Sequence, residues 1–192
     1  MKTEKTMKRI TYIALITFVI TSFSQFELIA QQGGKSVKAS SESRRTLSAY
    51  GHFDFSLHTI DGKIARLRDH TGKVVLVNIW APWCGPCRAE TPGFVKVYDE
   101  FKNKGFEIIS IAANTNMQEV KLFVEEYGVR WVVGISDDIA ARYGTTGIPD
   151  NYLFGPDGKL IKHFVGFTRE EELTPLIKQA LKKSSSRLTQ SQ

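Results

Sequence analysis

Two cysteines, Cys84 and Cys87, stand in the run Trp83-Cys84-Gly85-Pro86-Cys87, and the chain has no others. Three kinds of chemistry use such a pair. A structural zinc site needs four ligands, ordinarily a second cysteine pair or two closely spaced histidines. His52, His58, His70 and His163 are scattered singly, so no metal is expected. A structural disulfide stabilises by closing a loop in the unfolded chain, and the effect grows with loop length; this spacing closes almost nothing. Reversible thiol-disulfide exchange needs one sulfur at a helix N-terminus, where unpaired N–H groups and the helix dipole favour thiolate over thiol. Cys84 is then the attacking thiolate, and Cys87, one turn further in, resolves the mixed disulfide.

Placing a sulfur there takes a strand that ends just before it and a helix that begins on it. Residues 74–80, Val-Val-Leu-Val-Asn-Ile-Trp, form the nearly continuous apolar, β-branched run of a central strand buried on both faces. From Cys84 or Gly85 to about Asn103 the pattern turns helical, with Phe94, Val97, Tyr98 and Phe101 on one side and Gly105 as terminator. Pro92 falls inside that helix and is expected to kink it.

The other elements follow from the same periodicities. Residues 53–57 and 64–67 read as a hairpin-like lead-in around Asp61-Gly62. Strands are expected over 106–112 and 131–135, and an amphipathic helix over 118–127 ending on Gly128. Asp137 is a candidate cap for a short helix through Tyr143. A hairpin follows over 151–154 and 160–165 around Gly155-Pro156-Asp157-Gly158. The last helix spans 170–182, with three acids in its first turn and lysines near its end. Alternating strands and helices, then a hairpin and a helix, specify an α/β fold: a central mixed sheet flanked by helices, with an N-terminal β-hairpin extension. Trp80 and Trp131 are expected in its core.

The net charge of +6 does not belong to this domain. Residues 48–182 carry 16 Lys/Arg against 17 Asp/Glu, so a nucleic-acid face, which needs clustered cations, has little support. The excess sits in the ends. Lys2, Lys5, Lys8 and Arg9 precede an apolar stretch from Ile10 to Phe23, the layout of an export signal. Thr17, Thr21, Ser22 and Ser24 interrupt it short of the ~20 apolar residues of a spanning helix. Residues 1–30 are therefore read as a signal peptide, with a retained membrane anchor as the alternative. Residues 31–47 are polar and small, a flexible linker; 183–192 read as a disordered tail. Either reading of the N-terminus exports the domain, to the periplasm or the outer face of the cytoplasmic membrane.

The run from Ile79 through Ala81, Pro82 and the cysteines to Arg88, Ala89, Glu90, Thr91 and Pro92 resembles the thioredoxin superfamily, and more narrowly its exported TlpA/ResA/CcmG branch, over about residues 50–182. The resemblance implies a thioredoxin-like fold and thiol-disulfide oxidoreductase activity. Asn78 stands where cytosolic thioredoxin has a buried Asp, and the acid appears instead at Glu90, as in that branch. Cys87 and Glu90, three apart, share a helix face. A partly desolvated carboxylate there relays the proton that Cys87 must lose. Gly147-Ile148-Pro149 matches the superfamily's cis proline, which exposes the backbone of Ile148 to an extended substrate strand. Trp83, Gly85, Pro86, Ile148 and Pro149 form the implied docking surface.

One departure bears on specificity. Relatives usually place Thr or Ser two residues after this proline, whereas this chain has Asp150-Asn151. Asp150 either faces Cys84, where its charge would oppose the thiolate, or points to solvent. By resemblance, the partners are protein disulfides or dithiols and a membrane thiol donor that re-reduces the pair. No cofactor is implied. The branch's tasks include reducing apocytochrome cysteines in cytochrome c maturation. Gly-Pro between the cysteines, the dipeptide of the reducing thioredoxins, favours reduction. Two rivals are a thiol peroxidase, which would place Thr where this chain has Ala81, and a Sco-like copper chaperone using both thiolates and a distal histidine such as His163.

Overall fold

The computed structural model describes residues 49–190; the signal or anchor of residues 1–30 and the linker of 31–47 lie outside the described residues. The lead-in forms β1 (Ser56–His58) and β2 (Ile64–Arg66), paired antiparallel. Next come β3 (Val74–Trp80), α1 (Gly85–Phe101), β4 (Phe106–Ala112), α2 (Met117–Tyr127) and β5 (Val132–Ile135). The chain ends with α3 (Asp137–Arg142), β6 (Asp150–Phe154), β7 (Leu160–Val165) and α4 (Glu170–Gln190). A five-stranded sheet has the order β5-β4-β3-β6-β7. Its β3, β4 and β5 run parallel, while β6 runs antiparallel to β3 and β7 antiparallel to β6. This is the expected mixed sheet, and the hairpin extension is present.

Every residue of β3 is buried, which requires cover on both sheet faces, and the period of two sorts its side chains between them. Val75, Val77 and Ile79 join Ile109, Ile111 and Ile139 in a core closed by Tyr50, Phe55 and Leu57 of the lead-in. Val74 and Leu76 point the other way, against Phe94, Val97 and Phe101 of α1 and Leu173 and Ile177 of α4. Trp80 packs on Phe123 of α2, and both lie in one cluster with the cysteines. Each fully buried Val, Leu, Ile or Phe contributes roughly 1.5–3 kcal/mol, so the strand that delivers the cysteines is firmly anchored on both faces.

The lead-in is fastened to the far sheet edge. Ile60 N–H donates to Val133 O at 2.9 Å, and Thr59 bridges Gly134. The approach is so close that a Cβ on Gly134 would stand 2.6 Å from Leu57 Cγ and clash with His58 O.

Several boundaries differ from the sequence expectation. Ser136, not Asp137, caps α3: its backbone is extended and its hydroxyl accepts from Ile139 N–H. Asp137 is the first helical residue and accepts from Asn114 N–H at 2.7 Å. α1 ends at Phe101, followed by a 3-10 turn over Lys102–Lys104 and Gly105 in the left-handed region. It continues through Pro92, while the Thr91 hydroxyl donates to Cys87 O at 2.8 Å. α4 runs past Lys182 to Gln190, so residues 184–186 are helical where a frayed tail was expected. Extending a formed helix fixes one residue per added hydrogen bond, whereas nucleation fixes several for the first.

Candidate active site

Trp80 closes β3, and the next three residues carry the chain to Cys84, whose extended backbone makes it the N-cap of α1. Its sulfur accepts from Cys87 N–H at 3.3 Å, occupying one of the unpaired donors at the helix start. The helix has 17 residues, and the positive end of its dipole bears on this sulfur. Pro86, in the first turn, costs nothing there because that N–H has no intrahelical partner. The two cysteines are joined in a disulfide. Cys84 is 4% exposed and Cys87 1%, with exposed Gly85 and Pro86 between them.

Opposite the pair, the Ile148-Pro149 peptide is cis, and Ile148 O lies 3.7 Å from Cys84 Sγ. Pro149 O accepts from Gly166 N–H at 2.9 Å, tying this loop to the residues after β7. Trp83 is 57% exposed, with its indole N–H donating to Asn114 O at 2.9 Å. Exposed Val165 and Phe167 flank Gly166. The surroundings of Cys84 therefore present apolar surface and backbone groups to an incoming chain.

Glu90, one helical turn beyond Cys87, is 2% exposed. Thr168 N–H donates to its Oε2 at 3.0 Å. Asn151 Nδ2 lies 3.4 and 3.3 Å from its two oxygens, and Asn78 Nδ2 lies 3.3 Å from Oε1. Burial pushes this carboxyl up from 4.5 to about 7, against the pull of the Thr168, Asn151 and Asn78 donors. A carboxyl poised there can take or give a proton near neutrality.

Asp150 takes neither orientation left open by the sequence. It is 3% exposed, and its carboxylate accepts from the Thr145 hydroxyl at 2.8 Å and the Tyr152 hydroxyl at 3.0 Å. His163 Nε2 lies 2.6 Å from its other oxygen, and the His163 ring stacks on Tyr152. Period-two alternation sends Asp150 and Tyr152 to one sheet face and Asn151 to the other, where Glu90 sits. His163 is thus engaged by Asp150.

Cys84, Cys87, Ile148 and Pro149 lie together, Glu90 sits one turn along α1 from Cys87, and Trp83, Gly85 and Pro86 lie on the adjoining surface. Sequence reasoning missed Asn151, Thr168 and Ser110, the last donating to Asn78 Oδ1 at 2.9 Å. Their signal is faint: Asn78 is the lone polar residue of β3, and Ser110 stands in the apolar run Ile108–Ala112 of β4. Trp131, expected in the core, is partly buried at its edge and donates to Ser110 Oγ at 2.8 Å. Two crevices, of about 380 and 460 Å³, lie beside Gly155 and Leu176 and beneath the β1–β2 hairpin, away from the cysteines.

The AhpC/TSA family model matches residues 52–163. Curated relatives include the thiol-disulfide oxidoreductase ResA of Bacillus anthracis, 35% identical over 127 residues that cover 65% of this chain and 73% of the relative. ResA of Bacillus subtilis is 33% identical over 119 residues, covering 61% of this chain and 66% of the relative. Among solved structures, a thiol:disulfide interchange protein of Chlorobium tepidum matches with a TM-score of 0.63 at 29% identity, covering 67% of this chain and 93% of that one. A putative protein disulfide isomerase of Bacteroides thetaiotaomicron matches with a TM-score of 0.62 at 32% identity, covering 70% and 89%.

Proposed function

Because the chain belongs to the AhpC/TSA family, as a thioredoxin-like thiol-disulfide oxidoreductase, we propose that it is an exported reductant of protein disulfides, acting through Cys84 and Cys87 with Glu90 as proton relay. The observation that carries this reading is the buried Glu90 carboxyl, poised at about 7 and placed on the same helix as the cysteine pair.

In the reduced enzyme the Cys84 thiolate attacks one sulfur of a partner disulfide. A mixed disulfide forms and the partner's other sulfur leaves as thiolate. Cys87 passes its proton to Glu90, attacks Cys84 Sγ and expels the second partner thiolate. Two electrons pass from the enzyme dithiol to the partner, and the product is the Cys84–Cys87 disulfide seen here. A Cys87 thiolate and a Glu90 carboxylate disfavour each other, so one proton is shared between them and they titrate as a coupled pair. Glu90 then returns the proton to a departing partner thiolate.

The Ile148 backbone and the exposed Trp83, Gly85 and Pro86 fit an extended peptide laid across the disulfide. The partners follow from this chemistry as exported proteins with accessible disulfides, apocytochrome c being one candidate, and a membrane thiol donor restores the dithiol. Among the described residues no helix is long and apolar enough to cross a membrane; export or tethering rests on residues 1–30.

Substrate trapping tests the reading. Expressed with its N-terminal segment in an exporting bacterium, the Cys87→Ser variant should accumulate reductant-sensitive mixed disulfides through Cys84. Their absence, with Cys84 free and reduced, would sink the exchange mechanism.

A further inference from the structure

We propose that Trp131 and Ser110, two side chains outside the cysteine motif, are positioning residues that set the protonation of Glu90 by fixing the direction of a hydrogen-bond chain across the sheet. The mechanistic importance of that control rests on the proton-relay reading of Glu90; the control itself does not.

Three polar side chains lie in one row on adjacent strands: Ser110 of β4 is in register with Asn78 of β3, which is in register with Asn151 of β6. All three are at most 5% exposed. The row begins at Trp131, just before β5, and an indole N–H can only donate. Trp131 Nε1 donates to Ser110 Oγ at 2.8 Å, which takes up one acceptor site of the serine and favours its own proton going onward, to Asn78 Oδ1 at 2.9 Å. With its oxygen so engaged, Asn78 turns its NH2 to Asn151 Oδ1 at 2.8 Å and to Glu90 Oε1 at 3.3 Å. Asn151 Oδ1 is then an acceptor, and the Asn151 NH2 faces both Glu90 oxygens and Thr168 Oγ1, the last at 3.1 Å. Thr168 in turn donates to Gly166 O at 3.3 Å.

A side-chain amide taken alone can be turned over without changing shape. Here each step removes that freedom from the next, and the indole is the one group in the row that cannot reverse. As a result, every hydrogen-bonding group that reaches Glu90 is a donor. An ionised carboxylate is satisfied by such a set, whereas the protonated acid holds an O–H with no acceptor. Reversal of Asn78 would offer Glu90 an acceptor and strengthen its hold on the proton.

No charged side chain competes in this control among the described residues that contact Glu90. β3 and β6 present Asn78 and Asn151, and the loop after β7 presents Thr168; on α1 the cysteine pair, one turn away, is disulfide-bonded and carries no charge.

The test follows the Glu90 carboxyl directly by carbon-13 NMR of glutamate-labelled, oxidised protein, titrated in wild type, Trp131→Phe, Ser110→Ala and the double variant. Releasing the row should raise the proton affinity of Glu90 about tenfold in each single variant, the scale of one hydrogen bond to a charged group. The double variant should match Ser110→Ala, because both changes cut one chain. An unmoved Glu90 midpoint in Ser110→Ala, whose fold is least disturbed, overturns the proposal, as does a double variant equal to the sum of the singles. Cys87 alkylation against pH, in a Cys84→Ser background, separates the two readings. If the Glu90 midpoint rises while the Cys87 profile stays fixed, the row controls Glu90 but Glu90 does not relay the proton of Cys87.

Discussion

Replacing Glu90 by Gln removes the one buried titrating proton beside the cysteines, and its cost to folding can be worked from the structure. Burial raises this carboxyl in the native protein from 4.5 to about 7. Between those two pH values the folded state holds a proton on Glu90 that the unfolded chain has lost. Stability therefore falls as pH rises, by about 1.4 kcal/mol per pH unit. Across the window the wild type loses about 3 kcal/mol that is absent at pH 4.5 and complete above pH 7. Gln cannot titrate, so the variant lacks this slope. It carries instead a constant offset, because its NH2 meets the donors of Asn78, Asn151 and Thr168. Urea unfolding of oxidised wild type and Glu90→Gln, at half-unit steps from pH 4.5 to 8.5, gives two stability curves in which all other titrating groups cancel. Their difference should drift by about 3 kcal/mol in favour of Gln as pH rises. Parallel curves would refute the placement of Glu90 as a desolvated carboxyl.

Trp83→Ala removes a ring that is 57% exposed, so stability should change by about 0.5 kcal/mol or less, while KM for a protein disulfide rises several-fold with kcat little changed. A loss of stability without a KM effect would assign Trp83 a structural role. Gly134→Ala inserts a methyl 2.6 Å from Leu57 Cγ and should cost about 1–3 kcal/mol by overpacking; an unshifted urea midpoint would show that the hairpin yields. Asp150→Ala strands the Thr145 and Tyr152 hydroxyls and His163 without their acceptor and should cost about 1–3 kcal/mol. Its redox potential should match wild type, since Asp150 faces away from the Glu90 side; a shifted potential in a glutathione titration would contradict that placement.

The strand–cysteine–helix junction could be read from the chain because its signals are local. An apolar run must be buried on both faces, and a sulfur at a helix start meets free N–H groups whatever surrounds it. Glu90 was reached through the resemblance to the exported branch, with its spacing three residues from Cys87 on one helix in support. Its partners were not. Asn78, Ser110 and Asn151 belong to three strands that only register brings into one row, and Thr168 reaches Glu90 from the loop after β7. The side chosen by Asp150 also depends on register: alternation sets it opposite Asn151, but which face carries α1 is a tertiary fact. The cap of α3 shows a finer limit. Ser136 and Asp137 are both good capping residues, and backbone geometry alone decided between them.

Asp150 and Glu90 are two buried carboxylates on opposite faces of one sheet, and their partners assign them different work. Asp150 is surrounded by two hydroxyls and an imidazole. Those contacts pin Thr145, in the loop that leads to the cis proline. Glu90 meets donors whose protons cannot leave: two amides and a backbone N–H. No cation neutralises it, and burial opposes its charge. Under the relay reading proposed above, its proton passes to and from Cys87, one turn away on the same helix. A carboxyl with a cation beside it would stay ionised, and one without donors would stay protonated. The combination of burial with fixed donors keeps both states within reach at neutral pH, which is the condition a relay has to meet.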